Sequence, residues 1–236
     1  MNNSHLCIAL AVVYLLTACK ENHQSDNRGK MEKHTKEEKH HSSHSANEHM
    51  HQKSVEEMAQ AFESPERDAY QKPDVVLDYL GDIKGKIIMD IGAGSGYFSV
   101  KLAEQAAQVI AADISEEFQS ILQKRIEENK VQNIALRKIP YDSPSLTKNE
   151  VDMVLIVNTY HHIEKRSEYF TKVKAGTKPS GELVLIDFFK TEVSVGPPVK
   201  HKIAIDQVIA ELKEAGYSRF EVNVDLLPYQ YIIRAQ

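Results

Sequence analysis

Along residues 55–236, short apolar runs are separated by stretches with helical spacing of apolar residues, which predicts strands separated by helices. Five runs are almost wholly apolar, as expected for strands buried on both faces of a parallel sheet. These runs lie at residues 86–91, 109–114, 134–139, 151–157 and 182–187. Between them, apolar residues recur three and four positions apart, which is the spacing of one helix face.

The end of the chain breaks this alternation. Ile205, Val208 and Leu212 predict a helix that stops at Gly216. Strand patterns at residues 219–224 and 229–234 then follow with no helix between them, and consecutive strands joined this way pair antiparallel. The sequence therefore predicts a Rossmann-like α/β fold: a seven-stranded, mostly parallel sheet with helices on both faces and a C-terminal antiparallel hairpin. Two short helices at residues 55–63 and 74–81 precede it.

Residues 1–19 have a different character. Residues 6–18 are uncharged and apolar, too short a run to span a bilayer but of the length found in secretory signals. The run ends in Leu-Thr-Ala-Cys19, which resembles a bacterial lipobox. We expect a lipoprotein signal peptide, lipid on Cys19 and anchoring at the periplasmic face of the cell envelope. The segment before the run lacks Lys and Arg, which departs from the pattern, and without a functional signal the protein would be cytoplasmic.

Residues 20–54 form a polar segment with seven basic and six acidic residues and almost no apolar ones. Such a composition predicts a disordered linker, because little apolar burial offsets the cost of ordering. Eight of the eleven histidines lie before residue 52. The linker histidines are weak candidates for loose binding of a transition metal. The candidates are His40, His44, His49 and His51. No fixed ligand spacing is present, so a plain solvated linker is the alternative.

A glycine-rich turn at the end of the first strand is the strongest sign of a binding site. It reads Asp90-Ile-Gly92-Ala-Gly94-Ser-Gly96. A dinucleotide-binding turn has the spacing G-x-G-x-x-G, and here the third glycine comes one position early. A second acid, Asp113, closes the second strand 17 residues after Gly96, where a carboxylate can accept both hydroxyls of a ribose.

The glycine motif, Asp113 and the terminal hairpin resemble class I S-adenosylmethionine-dependent methyltransferases, with most likeness to the small-molecule enzymes called type 11. The resemblance covers about residues 65–236. It implies S-adenosylmethionine as cofactor, with the glycine loop under its methionine part, Asp90 near its amino group and Asp113 on its ribose. Asp142 matches the acid that contacts the adenine amine, although a turn-forming aspartate is the alternative reading. Asn158, after the fourth strand, joins these cofactor-binding candidates.

The fourth strand runs into Tyr160, His161 and His162, which are our candidates for catalytic residues. In this fold the carboxyl end of that strand faces the transferred methyl group, and imidazole can deprotonate a hydroxyl or an amine. We expect only one of the adjacent histidines to face the site and Tyr160 to close one wall. Residues 67–73 are either a lid over the cofactor or a polar connection.

The net charge and the cysteine content limit the classes of methyl acceptor and metal site that the chain can have. A net charge of -5 argues against nucleic-acid binding, so we expect a small-molecule methyl acceptor. Cys7 and Cys19 are the two cysteines of the chain. That distribution excludes a Cys-ligated zinc site and a cysteine nucleophile in residues 55–236, and it argues against arsenite as the acceptor. The alternative function is a membrane-tethered protein that binds S-adenosylmethionine or metal without catalysis.

Overall fold

In the computed structural model, which describes residues 54–236, seven strands form one mixed sheet in the order β3-β2-β1-β4-β5-β7-β6. Strands β1 to β5 pair in parallel, and β7 lies antiparallel between β5 and β6. This arrangement confirms the predicted fold class. The strands are β1 Ile87–Ile91, β2 Gln108–Asp113, β3 Ile134–Lys138, β4 Val151–Val157, β5 Thr177–Phe188, β6 Phe220–Asn223 and β7 Gln230–Ala235.

Seven α-helices surround the sheet within these residues. They are α1 Val55–Phe62, α2 Pro65–Gln71, α3 Pro73–Leu80, α4 Tyr97–Ala103, α5 Glu116–Glu128, α6 Arg166–Gly176 and α7 Ile205–Glu214. Helix α2 was not predicted as a helix, because its charged sequence lacks apolar periodicity. Capping sets its start instead: the Ser64 hydroxyl accepts from the Arg67 backbone N–H, and Pro65 occupies the first helical position.

The helices cover both faces of the sheet. Helices α3, α4 and α5 pack on one face, where Leu77, Leu102 and Leu122 are buried. Helices α6 and α7 cover the other face through residues such as Phe170 and Leu212. Successive strand residues point to opposite faces, so burial on both sides explains why the strands are almost wholly apolar.

Strand β5 is longer than predicted. It starts at Thr177, directly after α6, whereas the apolar pattern begins at residue 182. Thr177 pairs with Val151, but Glu182 pairs with Met153, so the pairing register shifts between them. At this irregularity Gly181 lies so close to the neighbouring strand that a Cβ would be 2.5 Å from the Asp152 carbonyl oxygen. Apolar periodicity cannot report such a polar, bulged strand start.

Several predictions concern residues outside the described range. They are the signal peptide at residues 1–19, lipid on Cys19, and the linker at residues 20–54 with its metal candidates His40, His44, His49 and His51. From Ser54 to Gln236, the structure has no helix both long enough and apolar enough to cross a membrane.

Candidate functional site

A cavity of about 990 Å³ opens at the carboxyl ends of β1, β2 and β4. The sheet order reverses between β1 and β4, and open α/β sheets bind ligands at such a reversal. The volume is at the upper end of the ~300–1,000 Å³ typical of ligand pockets, which leaves room for two small molecules. The cavity is lined by Gly92 and Gly94 of the glycine loop, and by Asp90, Asp113, Asn158, His161 and His162.

The glycine loop needs glycine for two physical reasons. Gly92, Gly94 and Gly96 have φ angles of +75°, +54° and +85°, in the left-handed region that side chains disfavour. Space is also short, because a Cβ on Gly92 would lie 2.3 Å from Thr159 Oγ1, and one on Gly96 would lie 2.2 Å from Leu122 Cδ1. The loop therefore brings backbone, rather than side chains, to the cavity wall.

Asp113 joins this loop to the end of β2. Its Oδ2 accepts from the Gly94 N–H at 2.8 Å, and its Oδ1 accepts from the Ser115 N–H at 2.9 Å. The carboxyl is nearly buried, and this burial raises the pKa of Asp113, while the backbone hydrogen bonds oppose the rise. Each oxygen keeps a second lone pair for the hydroxyls of a bound ligand.

Asp90 ends β1 beside the loop and is 3% exposed. Its Oδ2 accepts from the Ser99 hydroxyl at 2.6 Å. Burial raises the pKa of Asp90 to about 6, although the Ser99 hydrogen bond and the charge of Arg67 act in the opposite direction. A buried carboxylate on a cavity wall favours a cationic ligand group, because that group replaces the lost solvation.

Arg67, on α2, is a cavity residue that the sequence did not single out by itself, although residues 67–73 were considered as a lid. Its guanidinium carbon lies 4.0 Å from the centroid of the Tyr97 ring, and its Nη1 donates to the Phe62 carbonyl. The Nε atom is buried and has no hydrogen-bond partner, and burial lowers the pKa of Arg67. An incompletely bonded guanidinium on a cavity wall is suited to an anionic ligand group. Its signal in the sequence was weak, because a lone arginine on a short polar helix is common.

His161 lies at the other end of the cavity, in the 3₁₀ turn Tyr160–His162. Its side chain is 3% exposed, and its Nδ1 is 3.1 Å and 2.9 Å from the two carboxylate oxygens of Asp187. Asp187 Oδ1 also accepts from the Phe188 N–H at 2.8 Å, which fixes the carboxylate. This pairing occupies Nδ1 and leaves Nε2 as the ring nitrogen that can bond another group.

His162 also lines the cavity, so our expectation that only one of the two histidines would face it is wrong. The 3₁₀ turn places the two rings side by side, with their centroids 4.2 Å apart and their planes tilted by 39°, instead of sending them to opposite sides as an extended chain would. Burial lowers the pKa of His162 to about 4, and the neighbouring His161 and His201 contribute to this shift. His162 is therefore neutral at neutral pH.

Three predicted site residues, Gly96, Tyr160 and Asp142, do not line the cavity. Tyr160 is fully buried beneath the turn, where its hydroxyl donates to Glu211 Oε2 at 2.5 Å, so it forms no wall of the site. Its large ring packs in the core between the sheet and α7. Asp142 is exposed and lies at a separate cavity of about 340 Å³, while the preceding Tyr141 lines the large one.

Asn158 does line the cavity, directly after β4, with a φ angle of +55°. Its side-chain amide bonds to Gln71 and Gln230. Among residues 54–236, no group of three or more His, Cys, Asp or Glu side chains is placed to hold a metal ion.

The chain is similar in sequence to known methyltransferases. Residues 88–181 match a family model described as a methyltransferase domain. Curated relatives include the ubiquinone biosynthesis O-methyltransferase of Acinetobacter baylyi, 24% identical over 115 residues, which are 48% of this chain and 47% of that protein. The tRNA U34 carboxymethyltransferase of Hahella chejuensis is 28% identical over 113 residues, 47% of this chain and 34% of that protein. The chain thus spans half or less of the length of these relatives.

Solved structures show the same fold. A SAM-dependent methyltransferase from Aquifex aeolicus superposes with a TM-score of 0.72 at 24% identity, over 78% of this chain and 98% of that one. A phosphoethanolamine N-methyltransferase from Haemonchus contortus, solved with S-adenosylmethionine, gives 0.58 at 20% identity, over 65% and 38%. Residues 88–181 therefore match a methyltransferase domain, and the solved structures share the fold of this chain. The matches support a class I S-adenosylmethionine-dependent methyltransferase and confirm the predicted cofactor.

Proposed function

We propose that the protein transfers a methyl group from S-adenosylmethionine to a hydroxyl group of a small, uncharged acceptor, with His161 as the general base. The observation that carries this proposal is the His161–Asp187 pair, which lines the same cavity as the glycine loop and Asp113. A base held by a buried carboxylate serves an acceptor that must lose a proton. A thioether acceptor has no such proton.

The residues at the glycine-loop end suit the cofactor. Asp90 and Arg67 offer one negative and one positive group near each other, which matches the amino and carboxylate groups of a methionine moiety. Asp113 is placed to accept the ribose hydroxyls. Ile114 and Phe118 give an apolar wall beyond it for the adenine ring. Asn158 lies between this end and the histidines and completes the set that we assign to cofactor binding.

When bound, S-adenosylmethionine supplies a sulfonium-activated methyl group with a neutral thioether as leaving group. His161 Nε2 would accept the proton that the acceptor hydroxyl loses when it is methylated. Asp187 stabilises the resulting imidazolium through Nδ1. His162, kept neutral by burial, adds no positive charge that would oppose this proton uptake. The walls align the two reactants.

The walls around His161 support an uncharged, flat acceptor. Tyr70, Ile163, Tyr169 and Phe188 line this end of the cavity. The carboxylates on the cavity wall, namely Asp90, Asp113, Glu116 and Glu117, belong to the cofactor end, so a cationic amine finds little to recognise near His161. Residues 55–236 carry a net charge of -6, which favours a small molecule over a nucleic acid as acceptor.

The test is methyl transfer from deuterium-labelled S-adenosylmethionine to a panel of phenols, alcohols and amines of similar size. We expect labelled product with hydroxyl acceptors, and a loss of about 10²–10⁴-fold in turnover for His161→Gln. Methylation of the amines but not of the phenols or alcohols would contradict the proposed base. Full turnover by His161→Gln would contradict it as well. Cofactor binding without any product would favour the alternative of a binding protein.

We also propose that Cys19 carries lipid and anchors the domain at the periplasmic face of the cell envelope. The apolar run at residues 6–18 and the lipobox-like sequence before Cys19 support this. Intact mass of protein from the membrane fraction tests it, with Cys19→Ser as control. An unmodified N-terminus on protein from the cytoplasm would contradict the anchor.

A further inference from the structure

Three carboxamide side chains form a closed ring beneath the cavity. Asn158 Nδ2 donates to Gln71 Oε1 at 3.1 Å, Gln71 Nε2 donates to Gln230 Oε1 at 3.0 Å, and Gln230 Nε2 donates to Asn158 Oδ1 at 2.5 Å. The members come from the end of α2, the end of β4 and the start of β7. Gln71 and Gln230 have no exposed surface, and Asn158 lies on the cavity wall.

This ring requires an amide at all three positions. Each member donates once and accepts once, and turning all three amides over gives the same circle in reverse. A carboxylate at one position accepts from both neighbours, which leaves the other two members facing each other with carbonyl oxygens. A buried polar network with one mismatch costs more than its lost hydrogen bond, because the unpaired groups stay out of water. The ring therefore fixes one arrangement of its three elements.

The element whose position depends most on this ring is helix α2. Gln71 is its last residue, and Arg67 lies one helical turn earlier on the same face. Tyr70 and Arg67 both line the cavity. The Tyr97 hydroxyl holds the middle of the helix through Asp68, so the ring adds a second attachment at the C-terminal end. Two attachments set both the position and the rotation of the helix.

We propose that Gln71 and Gln230 are positioning residues of the cofactor site, which hold α2 against the sheet so that Arg67 presents its guanidinium to the cofactor carboxylate. This inference rests on the proposed function. The ring would act on affinity for the cofactor through Arg67, without either glutamine contacting the ligand. It also explains why three amides are buried at a ligand-binding edge where apolar residues would pack more simply.

A double-mutant cycle with S-adenosylhomocysteine as the probe tests this, with dissociation constants measured by calorimetry on the full chain. We expect Gln71→Glu and Gln230→Glu each to weaken binding by about tenfold, in the range of couplings between residues that share a network. In an Arg67→Met background, Gln71→Glu should weaken binding by less than about twofold. Equal losses in both backgrounds would overturn the proposal.

Two further measurements separate positioning from simple destabilisation. The exposed Gln105→Glu makes the same chemical change away from the site and should leave affinity and melting temperature unchanged. Burial at this position favours the protonated form of the carboxyl group introduced by Gln71→Glu, and that form is again both donor and acceptor. The ratio of the variant and wild-type dissociation constants should therefore fall towards one as the pH is lowered from 8 to 5.5. Arg67, Tyr70 and Asp90 are present in both proteins, so the ratio compares the two side chains at position 71.

If Gln71→Glu does not fold, Gln71→Leu replaces it, because it removes one member and leaves the bond between Gln230 and Asn158 intact. A lowered melting temperature with unchanged affinity in either variant would assign the ring to stability alone and overturn the proposal. Wild-type protein that fails to bind S-adenosylhomocysteine would instead overturn the proposed function, and this inference with it.

Discussion

Asp90→Asn should make the ligand-free protein more stable at neutral pH while weakening cofactor binding. Burial raises the pKa of Asp90 from its ordinary value of 3.8 to about 6. At about 1.36 kcal/mol per pH unit, the buried charge costs up to about 3 kcal/mol of unfolding free energy above pH 6. Asparagine keeps the shape and can still accept from the Ser99 hydroxyl, but it carries no charge.

The sign of the pH dependence follows from proton binding. Between pH 3.8 and about 6 the folded wild type holds a proton that the unfolded chain has released. The contribution of Asp90 to the unfolding free energy therefore falls as pH rises through this window, and the Asn variant lacks that contribution. The stability difference between the two proteins should grow from near zero at pH 4 to its full size above pH 6.

Urea denaturation of both proteins at pH 4.5, 6 and 8 measures this difference. In thermal melts it corresponds to about 2–4 °C for each kcal/mol in a domain of this size. Calorimetry should show the opposite effect on cofactor affinity, a loss of about 1–3 kcal/mol from a missing charge-assisted hydrogen bond. A variant that is no more stable than wild type at pH 8, or whose gain is the same at pH 4.5, would refute the reasoning.

Three other outcomes are expected. Asp113→Ala should weaken S-adenosylhomocysteine binding by about 1–3 kcal/mol in calorimetry, since it removes a carboxylate that also fixes the glycine loop; unchanged affinity would take Asp113 out of the site. Gly96→Ala should lower the unfolding free energy by about 1–3 kcal/mol in urea titrations, because of its φ angle of +85° and the contact with Leu122, and a neutral result would contradict this. Because burial lowers the pKa of His162 to about 4, the contribution of His162 to stability falls as pH drops from 6.5 towards 4, opposite in sign to that of Asp90. Relative to His162→Gln, the wild type should therefore lose stability in melts across this range, and a constant difference between the two proteins would count against it.

Local patterns determined the fold. Apolar runs such as residues 151–157 can be strands only where both faces are covered, and two final strands without a helix between them must turn back antiparallel. The glycine motif was equally readable, because positive φ angles and close approach to a ligand leave few residue choices at Gly92, Gly94 and Gly96. The sequence did not predict the capped, charged helix α2 or the polar start of β5, because neither has apolar periodicity.

Tertiary structure decided which polar residues share the cavity. The sequence does not distinguish Tyr160, His161 and His162 as candidates for the site. The 3₁₀ turn buries the tyrosine and brings the two imidazole rings together at the cavity. Asp187, which holds His161, is 26 residues away, and Gln71 lies 159 residues from Gln230. Such partners are chosen by the parallel strands that bring distant chain segments to one edge, and no local pattern records that choice.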